Sequence, residues 1–202
     1  MKIVVVNYGM GNVGSIVNMI RKVGGEAEVA SDPKALDAAG KVLLPGVGSF
    51  DQGMQALAEG GWIDSLRLAA GKGIPILGIC LGMQLMLGRS EEGRLPGLEL
   101  VPGDVRRFPS GEGFPRLPHM GWNQIDLKKA CPLFGSDEEE KRYYFAHSLH
   151  VVCGELADVA AMTVHGHAFV SAFQRNNLLG VQFHPEKSHR FGMALFKRFI
   201  EI

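Results

Sequence analysis

Cysteine is scarce in this chain, with 3 in 202 residues at Cys80, Cys131 and Cys153. The number is odd and the spacings are wide, which gives neither a disulfide framework nor a paired metal-ligand pattern. A reducing cytosol fits such usage best, and a cytoplasmic location is expected. Charge bias is missing too: Lys+Arg and Asp+Glu both number 21. Nothing there favours a nucleic-acid or membrane partner. No apolar run approaches transmembrane length. Met1-Lys2-Ile3-Val4-Val5-Val6 is too short for the apolar core of a signal peptide, and Asn7 ends it.

What is present is an ordinary globular composition, 46% hydrophobic and 21% charged. The length suits one domain, residues 1–202, with a real core. Ile3–Val6 reads as a buried strand and Val13–Val23 as an amphipathic helix closed by Gly24-Gly25. Strands are expected at Glu26–Ala30, Val42–Leu44 and Ile74–Ile79, and helices at Gln52–Ala58, Ile63–Ala70 and Leu81–Leu87. Such alternation predicts an α/β fold, a parallel sheet flanked by helices. After Pro96 the texture changes to short extended segments. They are Leu98–Val101, Val105–Phe108, Gln124–Leu127, Tyr143–Ala146, Val151–Val152, Ala160–Val164, Phe169–Phe173 and Leu178–Phe183. The sheet is therefore expected to become mixed, before a last helix from about His189 to Ile202. Asp137-Glu138-Glu139-Glu140 with Lys141-Arg142 reads as a solvated turn.

Two segments carry the chemistry. Gly78-Ile79-Cys80-Leu81-Gly82 joins an apolar strand to a helix. A cysteine at such a sharp turn is a nucleophile elbow, and glycines two residues either side keep neighbouring backbone from clashing. A helix N-terminus favours the thiolate. The N–H of Leu81 is placed to hold a developing oxyanion. Gln84 lies one turn on, facing the same way as Cys80. The plainer alternative is a buried core cysteine.

The second segment is Gln182-Phe183-His184-Pro185-Glu186. His184 would stand at the carboxyl end of a strand, where α/β sheets place their chemistry. Glu186 can fix the tautomer and orientation of the imidazole. The alternative is a surface histidine beside a solvated glutamate.

A competing motif lies near the start. Gly9-Met10-Gly11-Asn12-Val13-Gly14 fits G-x-G-x-x-G after a strand, with Asp32 at a suitable distance for a ribose contact. It would make the chain a dinucleotide-binding protein. The bland counterpart is a glycine-rich turn that lets the helix pack close. His165 and His167 flank Gly166 without an acidic or cysteine ligand nearby, so a surface hairpin is expected there. His119, His147 and His150 have no metal-ligand spacing.

The Cys80 elbow with His184-Pro185-Glu186 resembles the class I, triad-type glutamine amidotransferases. Further segments are similar to the glutaminase subunits of imidazole glycerol phosphate synthases: Asn7-Tyr8-Gly9-Met10-Gly11-Asn12, Pro45-Gly46-Val47-Gly48-Ser49-Phe50, Leu117-Pro118-His119-Met120-Gly121-Trp122-Asn123, Tyr143–Ser148 and His184–Ser188. The resemblance covers essentially the whole chain. It implies a single-domain flavodoxin-like fold with a central, mostly parallel mixed sheet. It implies catalysis by Cys80, His184 and Glu186, through a Cys80 glutamyl thioester. The oxyanion hole would use Leu81 and, after a peptide flip, Val47. Gly48, Gln84, Glu92 and Ser148 would hold L-glutamine. The ammonia would pass to a (β/α)₈-barrel cyclase in a heterodimer. That partner would be met by Asn12, Met120, Trp122, Asn123, Tyr144 and Lys187, on loops near the strand ends. No metal or cofactor is implied. Paralogues supply ammonia to other acceptors, such as surface sugars, and a non-catalytic partner-binding subunit is the remaining contrast.

Overall fold

The computed structural model describes residues 2–135 and 140–202. The first half runs β1 (Ile3–Val6), α1 (Val13–Lys22), β2 (Ala27–Ala30), β3 (Lys41–Leu44), α2 (Phe50–Glu59), α3 (Trp62–Gly71), β4 (Ile76–Ile79) and α4 (Leu81–Leu85). The second half adds β5 (Arg89–Ser90), β6 (Gly103–Arg107), β7 (His119–Gln124), β8 (Asp126–Leu127), β9 (Arg142–His147) and β10 (Leu149–Cys153). It continues with β11 (Val159–His165), β12 (His167–Arg175), β13 (Leu178–Val181) and α5 (His189–Glu201). Among the described residues no helix is long and apolar enough to cross a membrane.

The main sheet runs β2-β1-β3-β4-β13-β12-β10-β6-β5, and its first part, β2 through β13, is parallel. That order is the flavodoxin-like one, in which ligands bind beyond the carboxyl ends of the strands. Strands β1, β3, β4 and β13 are buried along their length, as strands covered on both faces must be. Their period of two sorts side chains into two cores. Ile3 and Val5 meet Ile16, Val17 and Ile20 of α1 and Leu195, Phe196 and Phe199 of α5. Val4 and Val6 meet Phe50, Leu57, Trp62 and Leu66 of α2 and α3. Burying each such side chain contributes about 1.5–3 kcal/mol. Beyond β13 the sheet turns antiparallel through β12, β10 and β6. A separate ladder pairs β7 with β9.

Two expectations are corrected. Leu98 and Val101 are buried, but Leu98–Val101 is not a strand. The N–H groups of Leu98 and Leu100 donate to the Leu85 and Met86 carbonyls at 2.8 and 2.9 Å, so this segment satisfies the orphan carbonyls at the end of α4. The second concerns Met120, Trp122, Asn123 and Tyr144, expected on loops. They lie on β7 and β9, where Trp122 pairs directly with Tyr144. His165-Gly166-His167 does form a hairpin turn, with Gly166 at φ 70°. The acidic turn at Asp137-Glu138-Glu139 lies outside the described residues.

Candidate active site

Strands β1, β3, β4 and β13 are neighbours and parallel, so the loops after them converge at one edge of the sheet. Cys80 follows β4 with φ 53° and ψ −110°. For a non-glycine residue this is a strained conformation, costing on the order of 1–3 kcal/mol. Close packing enforces it. A Cβ on Gly82 would stand 1.8 Å from the Leu44 carbonyl oxygen, and one on Gly78 would stand 2.7 Å from the Met83 nitrogen. The two glycines let the elbow sit against the end of β3.

His184 is buried and lies just after β13. Its Nδ1 donates to Glu186 Oε1 at 2.8 Å, and its ring is also hydrogen-bonded to Cys80. Burial by itself would lower the imidazole pKa. The bonds to Cys80 and Glu186 outweigh it and raise the value to about 10. The backbone is pinned as well. The His184 N–H donates to the Tyr144 carbonyl at 2.8 Å. Ser188 Oγ donates to the His184 carbonyl at 2.6 Å and accepts from the Tyr144 N–H at 3.0 Å. A sulfur, an imidazole and a carboxylate are thus aligned for nucleophilic attack with proton transfer.

The N–H expected to hold an oxyanion is already occupied. The Leu81 N–H donates to the Gly46 carbonyl at 3.3 Å. It is therefore the Gly46–Val47 peptide that points its oxygen inward, and it occupies the Leu81 donor rather than leaving it free. Gly46 is wedged: a Cβ there would meet Tyr8 Oη at 2.6 Å and the Gly82 nitrogen at 2.9 Å. Tyr8 Oη donates to the Pro45 carbonyl at 2.8 Å. Burial, and secondarily the charge of Cys80, raises the Tyr8 pKa well above its ordinary value.

A cavity of about 230 Å³ opens on Cys80 and Leu81, and Val47, Gly48, Gln84, Glu92 and Ser148 also line it. Glu92 Oε2 accepts the Phe50 N–H at 2.8 Å, which anchors it at the N-terminus of α2. Gln84 Nε2 donates to Gln182 Oε1 at 3.0 Å and to the Leu149 carbonyl at 3.4 Å. Tyr8, Gln182, His147 and Leu149 were not singled out from sequence. Gln182 has a usable signal, since it stands two residues before His184 in a segment whose apolar pattern predicts a strand, and a strand would turn both side chains the same way. A larger cavity of about 700 Å³ lies away from Cys80, between Lys129, Cys131 and Arg198. Its Lys129 Nζ already donates to the Gln174 carbonyl at 2.8 Å.

The glycine-rich loop after β1 is filled by the protein itself. A Cβ on Gly11 would lie 3.2 Å from Pro45 Cβ, so this loop packs on the segment that follows β3. The Asn12 side chain caps α1 by accepting the Ser15 N–H at 3.2 Å. Asp32 accepts the Lys34 N–H at 2.9 Å, capping a short 3-10 turn.

Met120, at the cavity wall, and Trp122, on the same face of β7, are 64% and 42% exposed. The Trp122 ring stacks on His189 at 5.7 Å and meets the Tyr144 edge at 6.4 Å. Lys187 Nζ lies 5.8 Å above the Tyr144 ring. Asn123 Nδ2 donates to the Val164 carbonyl at 2.9 Å.

Residues 4–202 match the family model of glutamine amidotransferase class-I. Among curated relatives, imidazole glycerol phosphate synthase subunit HisH 2 of Methanococcus maripaludis is 46% identical over 200 residues, covering 98% of each chain. Subunit HisH 2 of Pseudomonas aeruginosa is 42% identical over 201 residues, covering 99% of each. The solved PurLQS structure from Thermotoga maritima aligns with a TM-score of 0.76 at 20% identity, covering 99% of this chain and 97% of that one, a likeness of fold alone.

Proposed function

This chain belongs to the class-I glutamine amidotransferase family, and we propose that Cys80, His184 and Glu186 are its catalytic residues. It is the glutaminase subunit of an imidazole glycerol phosphate synthase in histidine biosynthesis, acting on glutamine beside a cyclase. The observation that carries the catalytic assignment is the Cys80–His184–Glu186 alignment at the edge of the cavity.

The Cys80 thiolate attacks the side-chain carboxamide carbon of glutamine. The carbonyl electron pair moves onto oxygen, which needs two N–H donors. Flipping the Gly46–Val47 peptide would release the Leu81 N–H and turn the Val47 N–H inward together. His184 protonates the leaving amine, ammonia departs, and a glutamyl thioester remains on Cys80. Water then adds while His184 takes its proton, and glutamate leaves as the sulfur recovers its electron pair. Glu186 keeps the imidazole in one orientation throughout. Gly48, Gln84, Glu92 and Ser148 hold the amino-acid portion, Glu92 facing the α-ammonium.

The cyclase partner is a (β/α)₈ barrel that docks over Asn12, Met120, Trp122, Asn123, Tyr144 and Lys187, and ammonia passes to it without release. The test is glutamine labelled at its amide nitrogen, supplied to this chain with the cyclase. Label in the imidazole product, undiluted by free unlabelled ammonia, supports the reading. Label only in bulk ammonia, with no transfer to the cyclase product, would point to another acceptor such as a sugar.

A further inference from the structure

We propose that Gln182 is a catalytic residue, whose side-chain N–H donates to the Cys80 sulfur and stabilises negative charge there. This rests on Cys80 being the nucleophile. Gln182 has no exposed surface, and its Nε2 lies 3.8 Å from Cys80 Sγ, within reach of an N–H···S bond.

The direction of that bond follows from a neighbour that cannot be reversed. The Leu149 carbonyl can only accept. It takes the His147 Nδ1–H at 2.7 Å and faces the Gln84 amide at 3.4 Å. The atom of Gln84 facing it is therefore nitrogen. The same nitrogen lies 3.0 Å from the Gln182 amide, which must turn its oxygen to meet it. That leaves the nitrogen of Gln182 toward the sulfur. The polarity of His147 is itself secured from behind. His147 Nε2 accepts from His119 Nδ1–H at 2.9 Å, and His119 Nε2 accepts from Asn123 Nδ2 at 3.2 Å. One consistent set of donors thus runs from β7 into Leu149. A second set runs from Leu149 through Gln84 and Gln182 to Cys80. Both N–H groups of Gln84 are used in this line, so its oxygen is left as an acceptor at the cavity wall.

The chemistry gives Gln182 a role beside that of His184. In the second half-reaction His184 is neutral and takes the proton of the attacking water. The carbon–sulfur bond then breaks and its electron pair returns to Sγ. At that moment His184 holds the proton taken from water; the Gln182 N–H is a second, non-titrating donor that stays on the sulfur whichever protonation state His184 is in. Hydrogen bonds to charged groups are the stronger class, so losing one is expected to cost roughly ten- to a hundredfold in rate.

The experiment uses the chain in complex with its cyclase. Gln182→Met keeps the volume without the donor, and Gln182→Glu puts an acceptor against the sulfur. The readouts are kcat and KM for glutamine and the rate of Cys80 alkylation by iodoacetamide against pH. Burial raises the pKa of both other thiols, Cys131 and Cys153, the latter to about 12, so they stay silent. The expected result is an alkylation profile whose midpoint moves to higher pH in both variants, further in Gln182→Glu. In Gln182→Met, kcat should fall roughly ten- to a hundredfold with KM nearly unchanged. Folded Gln182→Met with the parent profile and kcat would overturn the proposal. Should both Gln182 variants fail to fold, Gln84→Glu decides. It removes the donor that orients Gln182, so the amide can turn its oxygen to Cys80 and the profile should again move up; an unmoved profile rejects the proposal. Glutaminase activity surviving in Cys80→Ser would instead sink the nucleophile assignment, a separate failure.

Discussion

The carbonyl of Gly46 accepts the N–H of Leu81 at 3.3 Å, so the backbone of one strand end occupies the donor that a substrate oxyanion would need. Tyr8, bonded to the Pro45 carbonyl, holds the preceding peptide in place. The proposed nucleophile, base and carboxylate are in position while the proposed anion-binding donors are withheld.

The isolated chain should therefore be a poor glutaminase. Missing even one oxyanion donor costs on the order of a hundred- to a thousandfold, and here both proposed donors are withheld. The cyclase with its acceptor ligand would need to favour the flipped peptide by at least about 3–4 kcal/mol to restore full rate. Glutamate formation by the chain alone, with the cyclase, and with cyclase plus ligand measures this. Equal rates in all three mixtures would mean that the closed hole does not limit turnover.

Cys80→Ser should lower glutamine hydrolysis by well over a hundredfold while leaving the circular-dichroism spectrum and cyclase binding unchanged, as expected for removal of a covalent nucleophile. It should also alter the alkaline stability of the fold. The folded pKa of His184 is raised to about 10 from 6.5. Its stabilising contribution is thus complete below pH 6.5 and is lost as pH climbs through about 10. With the Cys80 contact gone, the drop in urea midpoint between pH 7 and pH 10 should shrink. A parent-like drop would detach His184 from the sulfur.

Lys187 lies over the Tyr144 ring at 5.8 Å, next to Trp122 and the exposed Met120. Lys187→Glu reverses a charge there without touching the core. The expected outcome is weaker cyclase binding by titration calorimetry, by at least tenfold, or glutaminase activity that no longer responds to the acceptor. A parent response in both assays removes Lys187 from the docking face.

His119 and His147 predict acid sensitivity. Burial lowers them to about 4 and about 3, and the charge of His165 adds to this for His119. Unfolded, both would titrate near 6.5. The unfolded chain therefore takes up protons first, and stability present above pH 6.5 is lost as pH falls toward 3–4. His119→Phe keeps a ring stacked on Phe145 and removes one titrating group. Its loss of stability between pH 7 and pH 4.5 should be smaller than that of the parent. An equal or larger loss would show that these rings do not govern the acid limb.

Much of the proposed catalytic site could be read directly from the chain because it is local. An apolar run, two glycines and a helix start around Cys80 define an elbow within five residues, and His184 lies two residues from the carboxylate that orients it. The central strands β1, β4 and β13 announced themselves by continuous apolar runs, a property of their own composition. Contacts between distant segments could not be read in that way. The apolar pattern of Leu98–Val101 signalled burial without saying that its N–H groups would finish α4 instead of joining a sheet. Asn123 and His119 look like loop residues until β9 pairs with their strand. Gln84 and Gln182 are 98 positions apart, and their shared polarity is set by the Leu149 carbonyl, which belongs to neither segment. Whether the Gly46 oxygen faces Leu81 is a choice between two peptide orientations that glycine tolerates almost equally in isolation. Residue types determined which groups this protein could use for chemistry. Packing decided which way those groups point, because hydrogen-bond direction is settled by whatever partner the fold brings opposite.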